Sequence, residues 1–272
     1  MYLLLDIGGT KTRVGVSEDL KDIDAHQIIQ TPKDFEGGVD AIKQTAANLS
    51  KGRPFKACAV GIREILNPNK DSLVNDLKSS AFSDWINKPI KQVFEHELSS
   101  KVFLENDAAM AALGEATWGS GSGYKVVGFL TISTGVGGAV VVDGKIGQSS
   151  IGFEPGEHLI NYLGGYTYFA DGVSGIGIEE NFGRQPEQID DQTIWHKVTK
   201  TLAVGVYNTM VFWSPDVVVL GGSVTKSISL ETLSTEVAGL NRKFPTLPPI
   251  KQAKLADLSG LYGSLEYLKL MV

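Results

Sequence analysis

The order of apolar and polar residues predicts alternating strands and helices from the start of the chain. Two apolar segments, residues 2–6 and 12–16, are predicted as buried strands joined by a glycine-rich turn, and residues 25–30 complete an antiparallel meander. Apolar residues at helical spacing then predict a helix over residues 37–49. Next come a strand at 55–60, a helix at 90–98, a strand at 102–104 and a helix at 107–118. This alternation indicates an α/β lobe.

The second half of the chain begins in the same way as the first. Strands at residues 126–132 and 138–142 flank another turn of glycine and threonine. A strand, a glycine–threonine turn and a second strand therefore occur once in each half, which indicates a duplicated lobe. The pattern then predicts a helix at 195–210, a strand at 216–220 and a helix at 258–270.

The segment GSGSG at residues 119–123 is the candidate junction between two lobes, because its three glycines leave the backbone unconstrained. It fits an ordinary surface loop equally well. We expect an N-terminal α/β lobe over residues 1–118 and a C-terminal α/β lobe over residues 119–272. The C-terminal helix is free to pack back on the N-terminal lobe.

Composition and charge exclude several classes of protein. Of the 272 residues, 42% are hydrophobic and 21% are charged, which is ordinary globular usage and argues against disorder. The net charge of −6 and the lack of a basic block argue against nucleic-acid binding. No apolar run approaches the length of a signal peptide or a membrane span, so we expect a cytoplasmic protein without a membrane partner. The single cysteine, Cys58, cannot form an internal disulfide and is predicted as a buried strand thiol.

The first turn, DIGGTK, combines residue types that bind phosphate. Gly8 and Gly9 let backbone N–H groups approach an anion closely, while Thr10 and Lys11 add a hydroxyl and an ammonium donor. Asp6, at the end of the strand, is placed to hold a magnesium ion, directly or through water. The spacing is neither that of a dinucleotide fingerprint nor that of a Walker loop. A β-hairpin turn with incidental residues would contain the same sequence.

A second and a third glycine motif lie in the C-terminal half. The turn TISTGVGG offers Thr134, Gly135 and Gly137 to a phosphate group. The apolar strand that ends at Gly221 and Gly222 leaves flat backbone on which a base or a ribose could rest. Each motif by itself is weak evidence for nucleotide binding. Two glycine–threonine turns, one in each half, can grip one polyphosphate from both sides of a cleft, and this pairing strengthens the prediction for both.

Asn106 and Asp107 lie where a predicted strand passes into a predicted helix. A carboxylate at such a position can reach a cleft. An aspartate or asparagine there is also a common helix N-cap, so the residue types alone leave both interpretations open.

Taken together, these motifs resemble the ROK family of sugar kinases and related repressors. The resemblance involves residues 6–11 as the first phosphate motif, 105–115 as the catalytic Asn-Asp segment and 131–138 with 143–145 as the second phosphate motif, with an adenosine motif at 214–223. It implies two actin-like α/β lobes with the active site in the cleft between them, and it implies ATP and Mg²⁺ as cofactors. It also implies that Asp107 is the general base and that Asn106 contacts the sugar.

The chain departs from this family pattern at its sugar motifs. The family's Glu-x-Gly-His is here FEPGEH, so Glu154 and His158 keep the sugar contacts with one residue inserted, or Glu157 substitutes, or His158 is structural. Residues 164–175 contain no cysteine where most family members bind a structural zinc, and with one cysteine in the chain we expect no structural zinc. Asp171 is a further candidate for a sugar contact and is equally consistent with a solvated loop.

Arg63 and Glu64 occupy the position of the family's Gly-x-Pro-Gly-Pro sugar loop. Two charged residues at a sugar pocket would alter its size and charge. They are also compatible with a solvent-facing loop.

The sequence favours an ATP-dependent kinase that phosphorylates a hydroxyl of a hexose or an N-acyl hexosamine, with the sugar and ATP as its small-molecule partners. One alternative is a regulatory sugar sensor, as in the repressor branch of the family, although no helix-turn-helix precedes the first strand here. Another is a divergent sugar- or nucleotide-binding protein with little or no kinase activity. The oligomeric state stays open, with a homodimer among the options.

Overall fold

A computed structural model describes residues 1–74, 82–162 and 165–272. The chain forms two compact units, each with its own sheet and hydrophobic core. Unit 1 consists of Met1–Gly114, Gln148–Gly152 and Asp257–Val272. Unit 2 consists of Glu115–Gly147 and Phe153–Ala256. The α/β class predicted from the sequence is confirmed.

The described secondary structure alternates between strands and helices along the chain. The strands are β1 (Tyr2–Ile7), β2 (Lys11–Ser17), β3 (Ala25–Gln30), β4 (Ala57–Ile62), β5 (Lys101–Asn106), β6 (Val126–Ile132), β7 (Val136–Val142), β8 (Lys145–Ile146), β9 (Leu159–Tyr162), β10 (Gly165–Tyr168), β11 (Val217–Gly221) and β12 (Ile250–Gln252). The helices are α1 (Phe35–Ser50), α2 (Ile90–Leu98), α3 (Asp107–Thr117), α4 (Phe169–Val173), α5 (Gly175–Phe182), α6 (Gln192–Trp213), α7 (Leu230–Leu240) and α8 (Ser259–Met271).

The sheet of unit 1 has the strand order β3-β2-β1-β4-β5. Strands β1, β2 and β3 form an antiparallel meander, whereas β4 and β5 run parallel to β1. Alternate residues of β1, such as Leu3 and Leu5, are buried in one core with α1 and α2. Helix α8 packs on β1 and β4. Because β1 is central and covered by helices, its segment LLLDI reads as a continuous buried run and not as an alternating one.

The sheet of unit 2 repeats this arrangement with the order β12-β11-β6-β7-β8. Strands β6, β7 and β8 are antiparallel, and β11 and β12 run parallel to β6. Helix α6 packs against α7 and buries the residues that share its predicted apolar face: Trp195, Val198, Leu202, Val206 and Met210. The duplicated strand pattern predicted from the sequence is therefore present in both sheets.

The glycine loop at residues 119–123 differs from its prediction, because its backbone is constrained. The buried carboxylate of Glu115 accepts hydrogen bonds from the backbone N–H groups of Ser120, Lys254 and Leu255 at 2.7–3.0 Å. A Cβ at Gly119 would overlap this carboxylate. The glycine therefore allows the loop to wrap closely around Glu115.

Even the longest described helix, α6, lacks the uninterrupted apolar length needed to cross a bilayer, and the same holds for the other described helices. Gly164, the first residue of the segment without cysteines, lies outside the described residues.

Candidate active site

The carboxyl ends of three parallel strands meet at one edge of the sheet of unit 1. Ile62, the last residue of β4, pairs with Ile7 of β1 and with Asn106 of β5. The segments that follow these strands therefore lie side by side. They are the turn after β1, residues 63–64 after β4, and the start of α3 after β5.

Asp6 forms an ion pair that the sequence analysis did not predict. Nη1 of Arg13 donates to Oδ2 of Asp6 at 3.1 Å, and Nη2 of the same guanidinium donates to Oδ1 of Asp257 at 3.0 Å. Burial raises the pKa of Asp6 to about 7, and the charge of Asp107 adds to this rise, whereas Arg13 opposes it. A Cβ on Gly260 would lie 2.5 Å from Cγ of Asp6, so the glycine lets the α8 segment approach the carboxylate.

The turn between β1 and β2 is held from outside by the residue that follows β3. The N–H of Gly8 donates to the carbonyl of Lys11 at 3.0 Å. Thr31 donates its hydroxyl to the carbonyl of Gly8 at 2.7 Å and its N–H to the carbonyl of Thr10 at 3.0 Å. Among the described residues, the N–H groups of Gly9 and Thr10 have no hydrogen-bond partner, and the side chains of Thr10 and Lys11 are exposed. The predicted phosphate donors are thus available on the surface of unit 1.

Asn106 and Asp107 differ in whether they cap the helix, a question that the sequence left open. Oδ1 of Asn106 accepts the N–H of Ala109 at 3.1 Å, which is the hydrogen bond of an N-cap residue. Oδ1 of Asp107 accepts the N–H of the next residue, Ala108, at 2.8 Å. Burial raises the pKa of Asp107, and the positive charge of Arg63 opposes the rise. Asn106 therefore caps α3, and the carboxylate of Asp107 is not needed for that purpose.

Glu105 is a buried carboxylate of the same segment to which the sequence analysis assigned no role. It accepts the N–H of Asn106 at 3.0 Å, pairs with the ammonium group of Lys70, and interacts with the hydroxyl of Tyr267 on α8. Burial and the negative charge of Glu105 raise the pKa of Tyr267. The strand end that carries Asn106 is thus held both by a loop and by the C-terminal helix.

The turn between β6 and β7 in unit 2 is held by the start of α5. The N–H of Ser133 donates to the carbonyl of Gly135 at 2.9 Å. The N–H groups of Gly175 and Ile176 donate to the carbonyls of Ser133 and Thr134 at 2.7 and 3.4 Å. The side chain of Thr134 is exposed, so its hydroxyl is available to a ligand.

The remaining glycines predicted to bind ATP lie next to this turn. Gly137 and Gly221 both pair with Thr131 of β6, one from each side. Gly222 has a φ of 92°, and a Cβ there would overlap the carbonyl of Ile132. A side chain is excluded at Gly222 both by its backbone conformation and by this close approach.

The predicted sugar contacts of unit 2 include an imidazole with a buried, unused nitrogen. Nδ1 of His158 lies 2.5 Å from the carbonyl of Pro155, and its ring stacks on Phe169 with centroids 4.8 Å apart. Because a carbonyl only accepts, Nδ1 carries the proton, and Nε2 of the neutral ring is an acceptor. Nε2 is buried and has no partner among the described residues. Burial lowers the pKa of His158, which favours the neutral ring.

The acidic candidates near His158 are more exposed. Glu154 precedes a short 3-10 turn and Glu157 is the last residue of that turn, and both side chains lie at the surface. A Cβ at Gly156 in this turn would lie 2.7 Å from the carbonyl of Val136, so the turn packs against the start of β7. Asp171 on α4 is exposed and accepts a hydrogen bond from the hydroxyl of Thr167 at 3.3 Å.

Each unit thus brings its own set of predicted residues together. Unit 1 places Asp6 and Asp107 at one sheet edge, with Arg63 acting on the charge of Asp107. Unit 2 gathers the turn at 133–135, the Gly221–Gly222 pair and the turn that carries His158 around the ends of β6, β7 and β11. Among the described residues, no group of three or more His, Cys, Asp or Glu side chains is arranged to hold a metal ion.

The chain is similar to known proteins over nearly its whole length. The family model described as "ROK family" matches residues 2–270. The chain is 27% identical over 266 residues to the glucokinase of Thermotoga maritima, with 82% of each chain covered. It is 26% identical over 299 residues to the N-acetyl-D-glucosamine kinase of Escherichia coli O6:H1, which covers 97% of this chain and 98% of the relative. The solved structure of a ROK hexokinase from Thermus thermophilus superposes with a TM-score of 0.82 at 26% identity and covers 99% of both chains.

Proposed function

The chain belongs to the ROK family, and from that premise we propose that it transfers the terminal phosphoryl group of ATP to a hydroxyl of a hexose or an N-acyl hexosamine. The observation that carries the proposal is the position of Asp107. Its carboxylate lies at the carboxyl edge of the sheet of unit 1, and the cap of α3 is supplied by Asn106 instead. The glucokinase and N-acetyl-D-glucosamine kinase relatives support this class of acceptor.

In the proposed reaction Asp107 acts as the general base. The acceptor hydroxyl oxygen forms a bond to the γ-phosphorus of ATP, the bond between that phosphorus and the leaving ADP oxygen breaks, and Asp107 takes the hydroxyl proton. The base must be ionised to do this. Burial opposes ionisation of Asp107, and the charge of Arg63 favours it.

We assign the phosphate contacts to both turns. In unit 1 the donors are the N–H groups of Gly9 and Thr10 with the ammonium group of Lys11. In unit 2 they are the hydroxyl of Thr134 and the N–H of Gly135. Backbone N–H groups held in advance stabilise developing negative charge without reorganisation, which is the main source of catalysis in phosphoryl transfer.

The residues present fit a magnesium ion that arrives with the nucleotide. Oδ2 of Asp6 accepts from Arg13, and among the described residues no hydrogen bond engages Oδ1, which can bind a water molecule or a cation. Mg²⁺ usually keeps several waters and binds one or two carboxylates together with substrate phosphates, so a single carboxylate oxygen suffices. When bound, the ion would neutralise charge on the phosphates.

For the sugar, His158 offers the most specific contact. Its buried Nε2 has an unused lone pair that can accept a hydrogen bond from a sugar hydroxyl. Glu154, Glu157 and Asp171 are candidates for further hydroxyl contacts. Asn106 keeps one amide N–H for the sugar, because its Oδ1 caps α3 and its other N–H points towards the carbonyl of Glu64 at 3.5 Å.

A coupled assay of ADP release over a panel of hexoses and N-acyl hexosamines tests the proposal. We expect release with at least one sugar, and loss of release when Asp107 is replaced by asparagine. The second candidate function is a sugar- or nucleotide-binding protein with little or no kinase activity, favoured by the charged pair Arg63 and Glu64 at the expected sugar loop. Sugar and ATP binding measured by calorimetry without any ADP release would support that alternative and contradict the kinase.

A further inference from the structure

Arg63 and Glu64 follow β4 directly and lie beside the candidate base. The N–H of Arg63 donates to the carbonyl of Ile7 at 3.1 Å, which fixes its backbone next to the end of β1. On the other side, the side-chain amide of Asn106 points towards the carbonyl of Glu64 at 3.5 Å. The two charged residues are thus held between the turn after β1 and the start of α3.

The ion pair between these two residues does not explain their presence as a stabilising contact. Nε of Arg63 lies 3.5 Å from Oε1 of Glu64, and the Arg63 side chain is 37% exposed. Ion pairs of this kind, with one long contact and a partly exposed cation, contribute little to stability. Among the described residues, no hydrogen bond engages the terminal nitrogens of Arg63, so the guanidinium remains free to act on other charges.

The backbone of Glu64 adds a second unusual feature. Its φ is 82°, in the left-handed region that residues with a Cβ adopt at an energetic cost. Backbone conformations of this kind persist where the surroundings hold them, and they cluster at functional sites. Here the strained residue keeps a carboxylate that is only 14% exposed next to Arg63, at the same sheet edge as Asp107.

The residues that follow β4 and β5 are neighbours at this sheet edge, because the two strands pair up to their last residues. Arg63 and Glu64 follow β4, and Asp6 lies at the end of β1, where Arg13 of β2 pairs with it. Burial raises the pKa of Asp107, the guanidinium of Arg63 opposes this rise, and the carboxylate of Glu64 adds to it. Arg63 and Glu64 therefore shift the pKa of the same carboxyl group in opposite directions.

We propose that Arg63 is a positioning residue for the candidate base: its guanidinium stabilises the carboxylate of Asp107 that receives the proton of the acceptor, and Glu64 offsets part of that charge. The assignment rests on the proposed function, because it gives Asp107 the role of a base. It explains why a charged pair stands where the family resemblance implies an uncharged loop. The pair adjusts the base and does not need to touch the sugar.

The test uses three variants and two measurements. The variants are Arg63→Gln, Glu64→Gln and the charge-conserving Arg63→Lys. The first measurement is the pH profile of kcat at saturating sugar. The second is the titration of the Asp107 carboxyl carbon by NMR in the protein without ligands, with the signal assigned by its loss in Asp107→Asn.

We expect each glutamine variant to shift both measurements in the same direction, and the two variants to shift them in opposite directions. Arg63→Gln shifts the acid limb of kcat and the titration of Asp107 to higher pH, so the loss of turnover is largest on the acid side. Glu64→Gln shifts both to lower pH. Arg63→Lys restores most of the wild-type profile. The control is Arg53→Gln, which removes an exposed arginine that pairs with Glu18 and should leave the profile in place.

The outcomes separate this inference from the proposed function. If neither glutamine variant moves the titration of Asp107, or both move it the same way, the inference is wrong. If Arg63→Gln raises the KM for the sugar while the acid limb stays in place, Arg63 is a sugar contact and the inference is also wrong. If the titrations shift as expected but no sugar is phosphorylated, the charge coupling stands and the kinase proposal fails.

Discussion

The two glycine–threonine turns occupy equivalent places in the two sheets but carry different chemistry. Each joins the first two strands of an antiparallel meander, and each first strand also has a parallel neighbour. The turn of unit 1 lies among charged side chains, with Asp6, Lys11 and Arg13 in or beside it. The turn of unit 2, TISTGVGG, contains no charged residue.

The two turns are also held by different partners. Thr31, after the third strand, fixes the turn of unit 1. The first residues of α5 fix the turn of unit 2 through the carbonyls of Ser133 and Thr134. From this difference we expect unit 1 to supply charge and proton transfer and the turn of unit 2 to supply neutral donors. Variants at the candidate base of unit 1 should therefore alter turnover or its pH dependence, and variants at the neutral hydrogen-bonding groups of unit 2 should alter affinity.

The largest expected effect is that of Asp107→Asn. Asparagine cannot accept the hydroxyl proton, and loss of a general base typically lowers the rate about 10²–10⁴-fold. Because Asn106 caps α3, the melting temperature should change little. Turnover and melting temperature are measured on one preparation, with the exposed Asp40→Asn on α1 as the control. Near-normal turnover of Asp107→Asn would show that Asp107 is not the general base.

The next effect is a pH-dependent change in stability on replacing Asp6 by asparagine. Burial raises the pKa of Asp6 from 3.8 to about 7. Between these values the folded protein holds a proton that the unfolded chain has released, so its stability falls as the pH rises, by at most about 1.4 kcal/mol per pH unit. Above about pH 7 this contribution stays constant.

Asn cannot ionise, so the difference in melting temperature between Asp6→Asn and the wild type should grow in favour of the variant from about pH 4 to about pH 7. Thermal unfolding across this range measures it. A difference that stays constant with pH would mean that Asp6 is already ionised throughout, held so by Arg13.

A smaller effect is expected from Thr134→Val in unit 2. The exposed hydroxyl of Thr134 is assigned to a phosphate, and a hydrogen bond to a charged group contributes about 1.5–3 kcal/mol, which corresponds to about 10- to 150-fold in ATP affinity. Calorimetry with ATP measures the loss, and Thr193→Val at the exposed start of α6 is the control. A fall in kcat with unchanged ATP affinity would contradict the proposed division between the units.

His158→Phe should weaken sugar binding by a smaller factor than that by which Thr134→Val weakens ATP binding. Phenylalanine keeps the stack on Phe169 and removes the buried acceptor Nε2. A hydrogen bond between neutral groups contributes about 0.5–1.5 kcal/mol, so we expect a loss of about 2- to 13-fold in sugar affinity with ATP affinity unchanged. If both His158→Phe and Glu154→Gln bind the sugar normally, we would assign the sugar contacts to Glu157 and Asp171 instead.

The smallest expected effect is that of a chelator. Because the chain has one cysteine, a zinc site with three cysteine ligands cannot form, and we expect EDTA to leave the melting temperature unchanged. Metal analysis of purified, untagged protein is the direct measurement. Stoichiometric zinc that resists the chelator would contradict the prediction.

The elements with strong local patterns could be predicted from the sequence. Helix α2 was predicted at its observed bounds, and the meander of β1, β2 and β3 was predicted to within one residue. Apolar runs that end in glycine are strong local signals. The short hairpin of β9 and β10 and the three-residue strand β12 were not predicted, since segments this short contain too few positions for a period to emerge.

Contacts between distant parts of the chain could not be predicted. The ion pair that joins Arg13 to Asp257 spans 244 residues, and no local pattern encodes it. The only signal was an arginine within an otherwise apolar predicted strand. In the same way, Glu115 appeared as one more residue of a family motif, and its role became visible only when the loop around Lys254 was in place.

The membership of α8 in unit 1 has a consequence for the synthesis of the protein. Unit 1 contains Met1–Gly114 but also Asp257–Val272, and α8 packs on the central strands β1 and β4. At about 5–20 residues per second, a ribosome needs about 8–30 s to add the residues after Gly114 up to Val272. During that interval the apolar surface that α8 covers on β1 and β4 has no helix over it, so this is the period in which we expect chaperones to bind the chain.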